Sequence, residues 1–156
     1  MKSGRTGRRR IGSSPLSVQR ALVDTNVLVS ALIARRGVCG QLLDAGFDGR
    51  WRIVVSPLLL VELEDVLARK KFSRIATAEA EQFVAAVRSH AEVVPDAPKP
   101  WQPVTRDPAD DYLIALARSA GVDALVSGDV HLTELSGLLP PVMRPVDFLA
   151  KIGSAP

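Results

Sequence analysis

Four acidic side chains end or interrupt the most hydrophobic segments of this chain: Asp24 in ALVDTNVLVSAL, Glu62 in SPLLLVELEDVL, Asp111 in DPADDYLIALA and Asp129 in ALVSGDVHL. Burying a carboxylate without a partner is strongly unfavourable. Acids kept in segments destined for a core therefore point to positive charge shared between them. A hard divalent cation, which takes oxygen ligands, is the obvious candidate.

The remaining composition is that of one globular domain. At 156 residues, 47% hydrophobic and with mean hydropathy +0.14, the chain can bury a core over an expected single domain at 20–152. No apolar run reaches the roughly 18 residues that span a bilayer, so no membrane partner is expected. IGSSPLSVQR stands where a signal peptide would need an apolar stretch, and secretion is not expected either. Cys39 is alone, which excludes an intrachain disulfide and a cysteine zinc cluster and fits a cytoplasmic protein. The net charge of +3 conceals a polarity. Lys2, Arg5, Arg8, Arg9, Arg10 and Arg20 fall in the first twenty residues with no acid, leaving 14 basic residues against 17 acids, a balance of −3, in the rest. Residues 1–19 read as a flexible basic arm, suited to solubilising the chain or to attracting a phosphate backbone.

Hydrophobic period and turn chemistry predict alternating strands and helices. Strands are expected at 21–23, 51–55, 92–94, 124–127 and 142–144. Helices are expected at 27–34, 41–45, from Pro57 to Arg69, from Thr77 through Glu79–Arg88, from Pro108 to Ala120, and around 131–135, with a turn over 146–151. Residues 95–106, with Pro95, Pro98, Pro100 and Pro103, read as a surface connection. The alternation predicts a three-layer α/β/α sandwich with a mostly parallel sheet, whose ligands bind beyond the carboxyl ends of the strands. Asp24 and Asp129 both fall at that edge.

Each acid also has an ordinary explanation. Asp24 suits a helix N-cap, although Thr25 or Asn26 can take that role and leave Asp24 to a ligand. Glu62 shares a helical stripe with Leu58, Leu59 and Val66, which predicts an inward-facing side chain; a salt bridge to Arg69 or Arg36 is the alternative to a ligand role. Asp107, Asp110 and Asp111 crowd the first turn of one helix, where its dipole favours negative charge. Asp110 and Asp111 diverge by about 100°, and the pattern does not choose between them. Asp129 suits a turn, and the small Ser127 and Gly128 leave the backbone open to a metal or phosphate. His90 and His131 are left out of a site built for an oxygen-seeking ion. Trp51 and Trp101 are candidates for stacking on bases, with a core or interface role favoured for Trp51.

Taken together and in order, these motifs over residues 20–150 resemble the four acidic motifs of the PIN-domain ribonucleases, in particular the VapC-like toxins of prokaryotic toxin–antitoxin systems. The resemblance implies a PIN-like fold and a Mg²⁺-dependent endoribonuclease, with Mn²⁺ as a substitute. It places the catalytic and metal-binding acids at Asp24, Glu62, Asp111 and Asp129. The third acid stands three residues before an Ile-Ala pair, here Ile114-Ala115, which selects Asp111 and leaves Asp110 in a supporting role beside Asn26 and Ser127. Ser127 stands where the family usually has Thr, and the 95–106 connection is longer than the family pattern. The implied partners are an RNA substrate, a cognate antitoxin and a second copy of the chain. Two alternatives are a phosphatase of haloacid-dehalogenase type, which would want an acid where Asn26 stands, and an inactive RNA- or partner-binding domain.

Overall fold

The computed structural model describes residues 18–69 and 72–153. Apart from Val18 and Gln19, the expected arm at 1–19 lies outside them. Arg20, grouped above with the arm's cations, instead opens strand β1 (Arg20–Val23). The chain continues through α1 (Thr25–Ile33), α2 (Val38–Phe47), β2 (Arg52–Val55), α3 (Pro57–Leu67), α4 (Thr77–His90) and β3 (Glu92–Val93). It ends with α5 (Pro108–Ala120), β4 (Ala124–Val126), α6 (Val130–Thr133), β5 (Val142–Met143) and α7 (Pro145–Gly153).

The helix boundaries follow from local chemistry. Ser56 caps α3 by accepting from Leu59 N, and Asp107 caps α5 by accepting from Ala109 N; a proline fills the first position of each, where no N–H is needed. Gly121, at φ +64°, closes α5 in the left-handed conformation that glycine adopts without steric cost. The last helix departs from expectation. Residues 146–151 belong to α7, not to a turn, because Phe148 and Ile152, one helical turn apart, are both buried, with Phe148 edge-on against Trp51 at 5.2 Å. So short an apolar segment, opened by Pro145 and Asp147 and closed by Gly153, is too brief a signal for a helix until a core receives it.

All five strands are parallel, in the order β3-β2-β1-β4-β5. Their side chains alternate between faces, as the period of two requires. Ala21, Val23, Ile53, Val55, Ala124 and Val126 join the core that α1, α2, α3, α4 and α7 cover, while Leu22, Val54 and Leu125 join the core under α5 and α6. The result is the expected three-layer sandwich. Among the described residues no helix is long and apolar enough to cross a membrane. Trp51 is a core residue whose Nε1 donates to Leu42 O, and Trp101 is half-buried against the Tyr112 ring at 4.9 Å.

The amino edge of the sheet is held by Arg20. Its guanidinium pairs with Glu92 at 2.9 Å and donates to the carbonyls of Ala120 and Gly121 at the end of α5, so one side chain joins β1, β3 and α5. Both partners are partly exposed, which weakens the pairing. Arg20→Ala is expected to lower stability by about 1–2 kcal/mol, read as a shift in the urea midpoint at unchanged slope.

Candidate functional site

Strand order turns the carboxyl edge into a crevice. From β1 the chain winds outward through β2 to β3, then returns on the other side of β1 to form β4 and β5, so the connections leaving β1 and β4 diverge. Ligands in open parallel sheets bind at such a switch point. The residues that follow those two strands are Asp24 and Ser127-Gly128-Asp129.

The register Val23↔Val126 makes Asp24 and Ser127 neighbours. The fully buried Ser127 hydroxyl donates to Asp24 Oδ2 at 2.9 Å and accepts from Asp129 N at 3.1 Å. Asp24 Oδ1 accepts from Asn26 N at 3.3 Å, which makes Asp24 the N-cap of α1; Asn26 supplies only that amide, and its side chain is exposed. Asp129 in the same way caps α6 by accepting from His131 N at 2.9 Å. Each carboxylate oxygen has two acceptor sites, so capping leaves capacity for a cation.

Glu62 reaches the crevice from a different side than its helical pattern predicts. It is exposed, as are Leu58 (49%) and Val61 (50%), while Leu59 and Val66 of the same stripe are buried, so Glu62 stands at the edge of the apolar stripe rather than within it. The arginine pairing is also absent: the ion pairs among the described residues are Arg20–Glu92 and Arg144–Asp147. Glu62 Oε1 instead accepts from Thr25 Oγ1 at 2.9 Å. Thr25 is almost fully buried beside Asp24 and aims Glu62 at the crevice, a role invisible in the sequence because 37 positions separate the two residues.

The third acid differs from expectation. Asp111, 7% exposed, turns toward the proline-rich connection, where its Oδ1 accepts from Val104 N at 3.0 Å and Thr105 N at 2.7 Å. Burial opposes its charge, yet the hydrogen bonds from Thr105 and Val104 outweigh it and hold this carboxyl below its ordinary value. Of the other acids only its neighbour Asp110 feels its charge. Asp110 is the acid of α5 that feels the charges of Asp24 and Asp129. Burial first, then the charges of Asp129, Asp107, Asp24 and Asp111, raise its pKa from 3.8 to about 6. Burial likewise raises Asp24, with Ser127 and Asn26 pulling the other way and the charges of Glu62 and Asp129 adding to the rise. Asp24 thus feels Glu62 and Asp129, and Asp110 feels Asp129 and Asp24 besides its helix neighbours Asp107 and Asp111.

These residues suit a hard cation. The donors are all oxygen, supplied by carboxylates with hydroxyls behind them, which is the ligand chemistry of Mg²⁺ and Mn²⁺. A Cβ on Gly128 would meet nothing within 4 Å, so the backbone between Ser127 and Asp129 faces open space. Among the described residues no three acidic, histidine or cysteine side chains stand close enough together to hold a metal ion between them. Carboxylates that repel one another are expected to stand apart until a cation offsets their charge.

The raised Asp110 pKa has a definite sign. An acid that binds its proton more tightly when folded favours the native state while protonated, so that stability is present at low pH and is lost as pH rises from about 4 through about 6. Allowing for screening by solvent, the loss is on the order of 2 kcal/mol. In chelator, Asp110→Asn should therefore stabilise the protein at pH 7 and change little at pH 4, as read from urea midpoints at the two pH values.

Comparison with known proteins agrees with this architecture. The PIN domain family model matches residues 20–131. Among solved structures, PAE2754 from Pyrobaculum aerophilum superposes with a TM-score of 0.60 at 20% identity, covering 88% of this chain and 90% of that one. VapBC2 from Rickettsia felis, bound to a DNA fragment from their promoter, superposes with a TM-score of 0.57 at 13% identity, covering 81% of this chain and 98% of that one. No curated protein matches the sequence.

Proposed function

This chain belongs to the PIN domain family, whose members are generally nucleases that use divalent metal ions, and we propose that it is a Mg²⁺- or Mn²⁺-dependent endoribonuclease acting as the toxin of a toxin–antitoxin pair. The observation that carries the reading is the pair of strand-end acids Asp24 and Asp129 tied together through Ser127, with Glu62 bonded to Thr25 beside Asp24 and Asp110 raised to about 6 by burial and by its acidic neighbours. A binding module has no use for concentrated negative charge where a phosphate must sit. A cation bound there supplies compensating charge, polarises a phosphoryl oxygen and makes water more acidic.

The chain's own residues divide the work. Asp24 and Asp129 hold the cation from the strand ends, with Ser127 fixing both. Glu62, steadied by Thr25, and Asp110 close the ring from α3 and α5. Asp111, expected from the family pattern to be a ligand, serves here to anchor the 104–105 segment beside the site. Open backbone at Gly128 lets the scissile phosphate approach, and the crevice selects single-stranded RNA by shape and stacking rather than by groove readout. The phosphatase alternative lacks its second acid, since position 26 is Asn. The likeness to VapBC2 supports an antitoxin as protein partner, and a homodimer and a cytoplasmic setting follow from the same reading.

A pool of total RNA should be cut by the wild type in Mg²⁺ or Mn²⁺ and left intact in chelator. Asp24→Asn and Glu62→Gln should lose more activity than the roughly 10–100-fold that removal of an outer-shell partner costs. Cleavage that persists undiminished in chelator would end the proposal. Cation at about 100 times its dissociation constant should also stabilise the wild type by about 2.7 kcal/mol. Asp110→Asn should lose this gain. Asp111→Asn should keep it while lowering stability in chelator, and the opposite result would return the third ligand to Asp111.

A further inference from the structure

Beside the crevice a second polar network is buried where most of the surroundings are apolar. Ser56 is fully buried after β2, and its Oγ lies 2.6 Å from Tyr112 Oη on α5; Tyr112 Oη in turn donates to Asp96 Oδ1. Leu59 N donates to Ser56 Oγ at 3.2 Å, and Leu58 N donates to Asp96 Oδ2 at 3.2 Å. A hydroxyl has one proton, and that of Tyr112 is committed to the Asp96 carboxylate, so Ser56 must donate to Tyr112. The network therefore runs one way, from the first amides of α3 through Ser56 and Tyr112 to a charged terminus that also caps α3. Burial first, then the bond to Asp96, push the Tyr112 phenol above its ordinary value, with the charges of Asp96 and Glu62 adding to it. Glu62 is thus within electrostatic reach of this network.

What the network connects matters for the site. Asp24 and Asp129 hang from neighbouring strands, and β-pairing sets their spacing. Glu62 and Asp110 hang from α3 and α5, which pack mainly on opposite faces of the sheet. Packing alone leaves two such helices free to slide or tilt. The Ser56–Tyr112–Asp96 network joins the first turn of α3 to the first two turns of α5, the helices that carry the two acids.

Resting on the metal-site reading above, we infer that Tyr112, with Ser56 and Asp96, is a positioning residue: its hydroxyl sets the helix carrying Glu62 against the helix carrying Asp110 and so sets the cation affinity of the site. Tyr112 itself touches neither cation nor substrate. Its ring packs in the core and against Trp101, and that part of its role survives without the oxygen.

The test is calorimetric titration of the full chain with Mn²⁺, comparing wild type, Tyr112→Phe, Asp96→Asn and Arg20→Ala. Tyr112→Phe keeps the ring and loses the tie, and its Mn²⁺ dissociation constant should rise roughly 10-fold, the low end for an outer-shell partner. Asp96→Asn keeps an acceptor for Tyr112 but loses the charge, and should fall between wild type and Tyr112→Phe. Arg20→Ala weakens the fold from the far edge of the sheet and should bind Mn²⁺ like wild type. Excess Mn²⁺ should restore RNA cleavage in Tyr112→Phe, as expected for a defect of affinity. Equal Mn²⁺ affinity in wild type and Tyr112→Phe would overturn this inference alone, as would equal weakening in Arg20→Ala, which would trace the effect to general loss of stability. A wild type that binds no Mn²⁺ would overturn the metal-site reading and this inference with it.

Discussion

One buried hydroxyl joins the two halves of this molecule at the carboxyl edge of its sheet. Ser127 Oγ donates to Asp24 and accepts from the backbone of Asp129, and it can do both only because β1 and β4 lie side by side and parallel in one register. A shift of one residue would turn Ser127 to the opposite face and leave Asp24 buried without its hydrogen bond. The sheet therefore does more than carry the acids. Its pairing decides which oxygens face one another, and helices α1 and α6 start from the residues so placed.

The same edge gathers helix beginnings. α1, α3, α5 and α6 all start there, and the unpaired amides of a helix's first turn carry partial positive charge. This explains how a fold can hold Asp24, Asp129 and Asp107 as caps, with Glu62 and Asp110 close by. The offset is incomplete, as the raised carboxyls of Asp24 and Asp110 show. Structural and functional uses of an acid are not exclusive here. Asp24 and Asp129 each cap a helix with one oxygen and keep acceptor capacity for a cation, so a cap reading and a ligand reading describe the same side chain. Strain of this kind is expected where a protein keeps charge for chemistry rather than for stability.

Support for the crevice is graded by element. Strand-end acids are held by β-pairing, Glu62 by a single bond to Thr25, and the two helices by the Ser56–Tyr112–Asp96 network. The amino edge, by contrast, depends on Arg20, which gathers β1, β3 and the end of α5.

From sequence alone came the strands and helices that carry a clear period or a clear cap: short apolar runs before Asp24 and Asp129, Ser56-Pro57 and Asp107-Pro108 at helix starts, Gly121 at a helix end. These signals are local, since period, capping and left-handed φ are properties of a few consecutive residues. So too was the parallel α/β architecture, and with it the edge where Asp24 and Asp129 fall. Tertiary structure decided what consecutive residues cannot encode. Successive side chains on α5 diverge by about 100°, and only the waiting amides of Val104 and Thr105 turned Asp111 toward the proline-rich connection, while Asp110 feels the charges of Asp129 and Asp24. Glu62 shares a helical stripe with the buried Leu59 and Val66, yet it stands at the edge of that stripe, exposed beside Leu58 and Val61. Phe148 and Ile152 formed a helix only where Trp51 and its neighbours could receive them. Hydrogen bonds such as Thr25–Glu62 and Ser56–Tyr112 join residues 37 and 56 positions apart. No local rule reaches that far; only the folded sheet brings those oxygens together.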